Sequence, residues 1–394
     1  MIRRVSMQIK DIRSFRLRGP WPYGEDFWKE RLVMPLDIYP KFRGSEGRRL
    51  PRPPYMEQTF LEITTDEGIS GIYGPVGSSL ASFAQGAFRN ILIGEDPFRV
   101  EMLWDQMYRS QVHGRKGETM MAISAVDCAL WDLIGKAKGE PVVRLLGGPV
   151  KEEMPAYAST LGCSLEPQEV TRVSQMYVEE GFRALKWFFR YGPGDGEKGI
   201  ERNLQLVKTV RDAVGYDVDL MLDCWMSWTV PYTLRMAKKL ERYEPAWLEE
   251  PLMPDDIDGY AQLSKALEIP IAGGEHEYTR WGAKELLMRQ AVDILQMDVT
   301  WAGGITEMRK VCALASAFGI PLIPHASWTE PSQHLVFSQN ISVCPMIEYL
   351  VKHAVDQQAF NKEKLLPEKG TFKAPVRKPG LGFEPQMERL VANP

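Results

Sequence analysis

From about residue 153 onward the chain repeats one unit, a short apolar run followed by an amphipathic stretch of helical period. The runs are "MPAYAS", "FRALKWF", "VDLMLD", "AWLEE", "IPIAGGE", "VDILQMD", "IPLIPH" and "MIEYL". Between them lie segments such as "RNLQLVKTVRDAVG", "TLRMAKKLERY" and "GITEMRKVCALASAFG", whose apolar residues recur at helical spacing. Strand–helix alternation of this kind predicts an α/β fold with a parallel sheet, and eight units predict closure into a TIM-like barrel. An open doubly wound sheet is the competing arrangement, but no GxGxxG opens any of the helical segments.

Polar residues end five successive runs: Asp223, Glu249, Glu275, Asp298 and His325. The gaps are 26, 26, 23 and 27 residues, about one strand–helix unit each. Each residue therefore takes the same place in its unit, the C-terminal strand end, where the connecting loops of a barrel converge on the active site. One strand-end carboxylate is ordinarily a helix cap; five polar groups in register are not. Three carboxylates at ~5 Å would repel by roughly 3 kcal/mol per pair at an effective dielectric of about 20. Protons or a cation must offset that. Asp223, Glu249 and Glu275 offer only hard oxygen ligands, which suits Mg²⁺ rather than zinc or copper. Asp298 on the neighbouring strand end is placed to hydrogen-bond His325 and turn its other ring nitrogen toward substrate. Of the remaining histidines (His113, His276, His334, His353), only His276, beside Glu275, is expected within reach.

The first part of the chain has a different texture. "QTFLEITTDEGISGIYGPV" alternates about a turn at Asp66–Gly68, as a hairpin would, and residues 18–54 form a long loop rich in Gly, Pro and Arg. "TMMAISAVDCALWDLIGKAKG" reads as a helix stopped by Gly139 before Pro141, with Gly147-Gly148 as a boundary. The divisions expected are 1–148, 149–350 and a C-terminal segment 351–394 packing back on the first. A net charge of −4 calls for neither nucleic acid nor an anionic membrane, and no run reaches ~18 apolar residues. Five scattered cysteines without a CxxC pair suit reduced thiols, so a cytoplasmic setting is expected.

At these residues the sequence resembles the enolase superfamily, in its mandelate racemase branch. "AISAVDCALWDLIGKAKGEPVVRLLGG" resembles the helix joining the family's capping domain to its barrel. Asp223, Glu249-Glu250-Pro251 and Gly274-Glu275 resemble its Mg²⁺-binding triad; Asp298 with Gly303-Gly304, then Pro324-His325, resemble its base dyad. The resemblance implies a (β/α)7β barrel with an N-terminal α+β capping domain, Mg²⁺ as cofactor, a small sugar acid as substrate and a homo-oligomer. It implies that His325 is the base and that Glu348, protonated by its anionic surroundings, hydrogen-bonds the substrate carboxylate.

"YGPGDGEKGIERN", "LMLDCWMSW", "GEH" and "DVTWAGGITE" are most similar to the L-rhamnonate dehydratases of that branch, while "PHASWTEP" departs from them. Branch racemases carry Lys-x-Lys on the second strand; here Lys186-Trp187-Phe188 keeps the first lysine and puts phenylalanine at the base position. A base on one face disfavours racemisation and leaves elimination to a 2-keto-3-deoxy acid. Lys186 is expected on the substrate carboxylate or the developing oxyanion. Trp187, Trp225, Trp228, Trp301 and Trp328, at or after strand ends, suggest an apolar wall suited to a deoxy-sugar methyl, with Trp225 and Trp328 as contacts. Lys41, Arg43 and Arg49 align with a substrate-facing basic loop. A racemase, an epimerase, a dehydratase of another sugar acid and a non-catalytic sugar-acid binder are the competing functions.

Overall fold

The computed structural model describes residues 7–43 and 53–391. The N-terminal part is a three-stranded antiparallel sheet of β1 (Ile9–Gly19), β2 (Met56–Thr65) and β3 (Ser70–Val76). The β2–β3 hairpin turns at Asp66–Gly68, as the alternation predicts. Strand β1 falls in a segment that carries no strand signal, because charges interrupt its apolar alternation.

The helix Glu118–Lys138 ends at Gly139, in the left-handed region with φ 68°. It is apolar nearly all round, which is the pattern of a helix covered on every side. Strand β3 presses against it at Gly71, where a Cβ would lie 2.0 Å from the Ala129 carbonyl. On another side it meets the second half of the chain.

That half is a parallel sheet of β4 (Glu153–Ser159), β5 (Ala184–Phe188), β6 (Asp219–Asp223), β7 (Trp247–Glu249), β8 (Ile271–Gly273) and β9 (Ile294–Leu295), each joined to the next through a helix. The last parallel strand, β10 (Ile347–Leu350), returns to pair beside β4, so the sheet curls on itself. Between β9 and β10, "IPLIPH" makes one parallel bridge, Leu295–Leu322, rather than a strand ladder. A short β11 (Thr371–Lys373) lies antiparallel to β4.

Side-chain alternation sorts this sheet into layers. Tyr157, Ala184, Met221, Trp247, Ala272 and Ile323 form one closed apolar cluster, edged by Ile294 and Met346. Two residues further along these strands stand Lys186, Asp223, Glu249, Gln296, His325 and Glu348. An apolar floor and a polar layer directly above it are the consequence.

The C-terminal segment folds over the first sheet. Phe360 and Phe383 join Phe15, Leu17, Met56 and Phe60 in a small core, and Leu390 bridges Leu17. All five cysteines are buried and unpaired. Among the described residues no helix is long and apolar enough to cross a membrane.

Candidate active site

Strands β5, β6, β7 and β10 deliver Lys186, Asp223, Glu249 and Glu348 to the polar layer, and Glu275, Gln296 and His325 enter it just past β8, β9 and the Leu322 bridge. Asp223 and Glu249 end β6 and β7 as register partners, and Glu275 follows β8; the three are 6%, 1% and 5% exposed. Asp223 Oδ1 accepts the Trp225 N–H at 3.0 Å, in a tight turn where Trp225 and Met226 take positive φ. Glu249 Oε2 accepts Trp247 Nε1 at 3.0 Å and Gln296 Nε2 at 2.8 Å, while its Oε1 pairs with Lys186. The Lys186 ammonium is also 3.5 Å from Asp223 and 2.7 Å from Glu348.

One lysine does not neutralise this set. Burial, then repulsion from Glu249, raises Asp223 well above the usual carboxylate range despite Lys186. Burial likewise pushes Glu275 up to about 7. A buried, all-oxygen donor set short of positive charge fits a hard divalent cation. Asp223, Glu249 and Glu275 are the residues that would hold it. Among the described residues, the grouping whose ligand atoms all lie within 4.8 Å of one another is Glu250, Glu275 and His276, which shares only Glu275 with that triad. Glu250, buried and at φ 39°, fixes His276 by a 2.7 Å contact to Nδ1.

These shifts carry a sign. A carboxyl group whose pKa rises on folding keeps its proton where the unfolded chain has lost it, so stability falls as pH climbs from about 4.5 toward 7 for Glu275. A cation needs the ionised form. Thermal stabilisation by Mg²⁺, measured against an EDTA control, is therefore expected to be small at pH 5.5 and large at pH 7.5. Equal increments at both pH values would contradict the placement of the cation on these groups.

His325 Nδ1 lies 2.7 Å from Asp298 Oδ2. Burial alone would lower the imidazole, but Glu275, the Asp298 hydrogen bond and Glu348 together push it up to about 10. Positive charge over Glu275 would cancel the largest upward contribution and favour the neutral ring that a base requires.

Glu348 corrects an expectation. Anionic surroundings were to keep it protonated; instead burial is outweighed by the Lys186 ammonium and His325, which hold it below its ordinary value. The Ala326 N–H adds a 2.9 Å hydrogen bond to Oε2. Lys186, the first lysine of the expected pair, is 3% exposed and engaged with carboxylates.

The indoles divide. Trp225, His276, Trp301 and His325 form a continuous row, with successive ring centroids 6.1, 5.7 and 4.8 Å apart. Trp187, Trp228 and Trp328 are buried at 0%, 4% and 1% exposure within the core. Strand parity explains Trp187, because Lys186 before it points inward. Trp328, expected at the substrate, is packed in the core, and Trp301 stands in the row instead.

The N-terminal loop does cross the strand ends: the Lys29 N–H donates to Gly162 O at 2.9 Å and the Val33 N–H to Phe189 O at 2.7 Å. Among its basic residues, Arg43 serves differently from expectation. Arg43 spends its guanidinium on the carbonyls of Asp37, Ile38 and Gly194, which anchors the loop. Lys41 is exposed over the Phe42 ring, and Arg49 lies outside the described residues. Sequence reasoning passed over Gln296 and gave Glu250 no role of its own. Parity from Asp298 back along the chain was the available signal for Gln296.

An apolar-floored parallel sheet with acidic strand ends and a His–Asp dyad defines a class, and comparison with known proteins agrees. Residues 168–389 match the enolase C-terminal domain-like family, and residues 55–147 match the mandelate racemase / muconate lactonizing enzyme N-terminal domain. The chain belongs to this family, the mandelate racemase branch of the enolase superfamily. Among its relatives, the L-rhamnonate dehydratase of Saccharopolyspora erythraea is 36% identical over 356 residues, covering 88% of this chain and 87% of that protein. Crystal structures of the Gibberella zeae enzyme agree in fold. L-rhamnonate dehydratase superposes with TM-score 0.84 at 32% identity (99% and 97% of the two chains), and the Mg complex of rhamnonate dehydratase with 0.84 at 33% (98% and 97%). The 3,6-anhydro-D-galactonate cycloisomerase of Zobellia galactanivorans is more distant, with TM-score 0.77 and 29% identity over 98% of this chain and 100% of that one.

Proposed function

We propose that this protein is a Mg²⁺-dependent acid-sugar dehydratase that converts an aldonate, L-rhamnonate or a close analogue, to its 2-keto-3-deoxy acid. The observation that carries the reading is the one-sidedness of the site. His325 with Asp298 is the acid–base pair, and the second-strand position where racemases hold another base is Phe188, which moves no proton.

Bound through Asp223, Glu249 and Glu275, Mg²⁺ supplies Lewis-acid stabilisation of negative charge on the substrate carboxylate. The residues do the rest. Asp298 holds the Nδ1 proton of His325, which leaves Nε2 to take the proton from C2. As the C2–H electrons form the C2–C3 double bond, the C3–O bond breaks. The same imidazolium then gives its proton to the departing hydroxide, and water leaves from the face on which the C2 proton was taken. The enol product tautomerises to the keto acid. Lys186, held among Asp223, Glu249 and Glu348, keeps positive charge beneath the reacting carboxylate. The Trp225–His276–Trp301 row forms the apolar and polar wall on which a 6-deoxy sugar rests.

The same reading takes the curled sheet as a closed (β/α)7β barrel, with residues 1–148 as capping domain, 149–350 as barrel and 351–394 as a returning segment. It also takes the protein to be a homo-oligomer. The test is a panel of aldonates and aldarates with Mg²⁺, assayed for 2-keto acid. Release of keto acid from a 6-deoxy aldonate is expected. Inversion at C2 with α-proton exchange and no keto acid would make the protein an epimerase instead.

A further inference from the structure

The loop after β9 carries the carboxylate half of the dyad, and the two oxygens of Asp298 are used differently. Oδ2 faces His325 Nδ1 at 2.7 Å. Oδ1 accepts two donors from one residue, the Thr300 N–H at 2.6 Å and the Thr300 hydroxyl at 2.7 Å. Asp298 is 1% exposed, so water is poorly placed to replace a lost donor. Rotation about the Cβ–Cγ bond moves both oxygens together; fixing Oδ1 therefore fixes Oδ2.

Neighbouring elements hold the rest of this loop. At the far end of the loop the Gly303 N–H donates to Ser124 Oγ at 2.9 Å, and Trp104 Nε1 donates to Gly303 O at 2.7 Å. Between them the Trp301 ring packs 4.8 Å from that of His325.

We propose that Thr300 is a positioning residue: its hydroxyl locks the Asp298 carboxylate so that Oδ2 meets His325 Nδ1 and the opposite ring nitrogen faces the substrate. A backbone N–H would be present with any residue here; the second donor comes only from a hydroxyl. The inference rests on the dehydratase reading for its kinetic consequence, though not for its geometric one.

Thr300→Val keeps the shape and the N–H and removes the O–H; Thr300→Ser restores it. With the full chain, Mg²⁺ and the aldonate that the unaltered protein turns over best, Thr300→Val is expected to lower kcat about tenfold, the value of one hydrogen bond to a charged group. KM should change by less than about twofold, and serine should recover most of kcat. A second readout needs no substrate. The downfield proton resonance of His325 Nδ1, assigned by its loss in His325→Asn, should shift upfield or broaden in Thr300→Val and return in Thr300→Ser. Unchanged kcat with an unchanged resonance, or a loss that serine does not repair, overturns the role of Thr300. If the unaltered protein turns over no sugar acid, the dehydratase reading falls, and the resonance comparison still decides the positioning role.

Discussion

Replacing His325 with asparagine is expected to lower turnover by roughly 10³-fold, within the range that a positioned general acid–base group supplies. The loss should be large because one imidazole serves both halves of the reaction and Phe188 offers no substitute. Asparagine keeps a polar side chain of similar length, so the carboxylate layer below should stay intact. Thermal stabilisation by Mg²⁺, measured on the same sample, should therefore persist. Turnover within about fivefold of the parent would mean that another group moves the proton. A protein that binds a sugar acid equally well before and after the change, with no product from either, would be a binder.

Lys186→Met is expected to have the largest effect on stability. The ammonium lies at ion-pair distance from Asp223, Glu249 and Glu348 in a layer that water barely reaches. Removing one partner of a buried ion pair typically costs about 3–5 kcal/mol, because the remaining charge stays desolvated. Glu348, now held in its ionised form largely by Lys186, should take up a proton instead. Mg²⁺ should recover more stability in this variant than in the parent, since it restores positive charge to the same layer. Thermal unfolding with and without Mg²⁺ measures both quantities. A variant as stable as the parent in EDTA would show that the lysine is not the counter-charge inferred from the geometry.

Much of this site was legible because barrel strands impose two regular spacings. The unit length alone predicts Asp223, Glu249, Glu275, Asp298 and His325 at or just past the ends of successive units. Where expectation failed, the missing information was local. Whether an indole faces the mouth or the helices depends on one step of strand parity, which separated Trp187 from Lys186. Past the strand ends parity no longer applies, so Trp301 and Trp328 were indistinguishable in the sequence. The charge state of Glu348 depended on where the flexible Lys186 side chain ends, and the role of Arg43 on the path of an irregular loop. The first strand, Ile9–Gly19, escaped notice because its arginines pair with Glu57 and Glu62 across the sheet, so a paired strand carries a surface-like composition.

The helix Glu118–Lys138 also reaches into the turn that starts the helix Gly304–Phe318. Asp127 Oδ2 accepts the Thr306 N–H at 3.0 Å, and a Cβ at Gly304, which has φ 77°, would lie 2.4 Å from that carboxylate. Trp131 Nε1 donates to Thr306 Oγ1 at 2.9 Å. The curled parallel-sheet half thus borrows the start of one of its own helices from a segment encoded almost two hundred residues earlier. Chimeras that join this barrel to the first 110 residues of a relative, carrying 118–138 along as part of the barrel, should stay soluble. Crossovers placed at the glycine pair after residue 146 should give aggregated protein unless the incoming helix carries an aspartate at the same step.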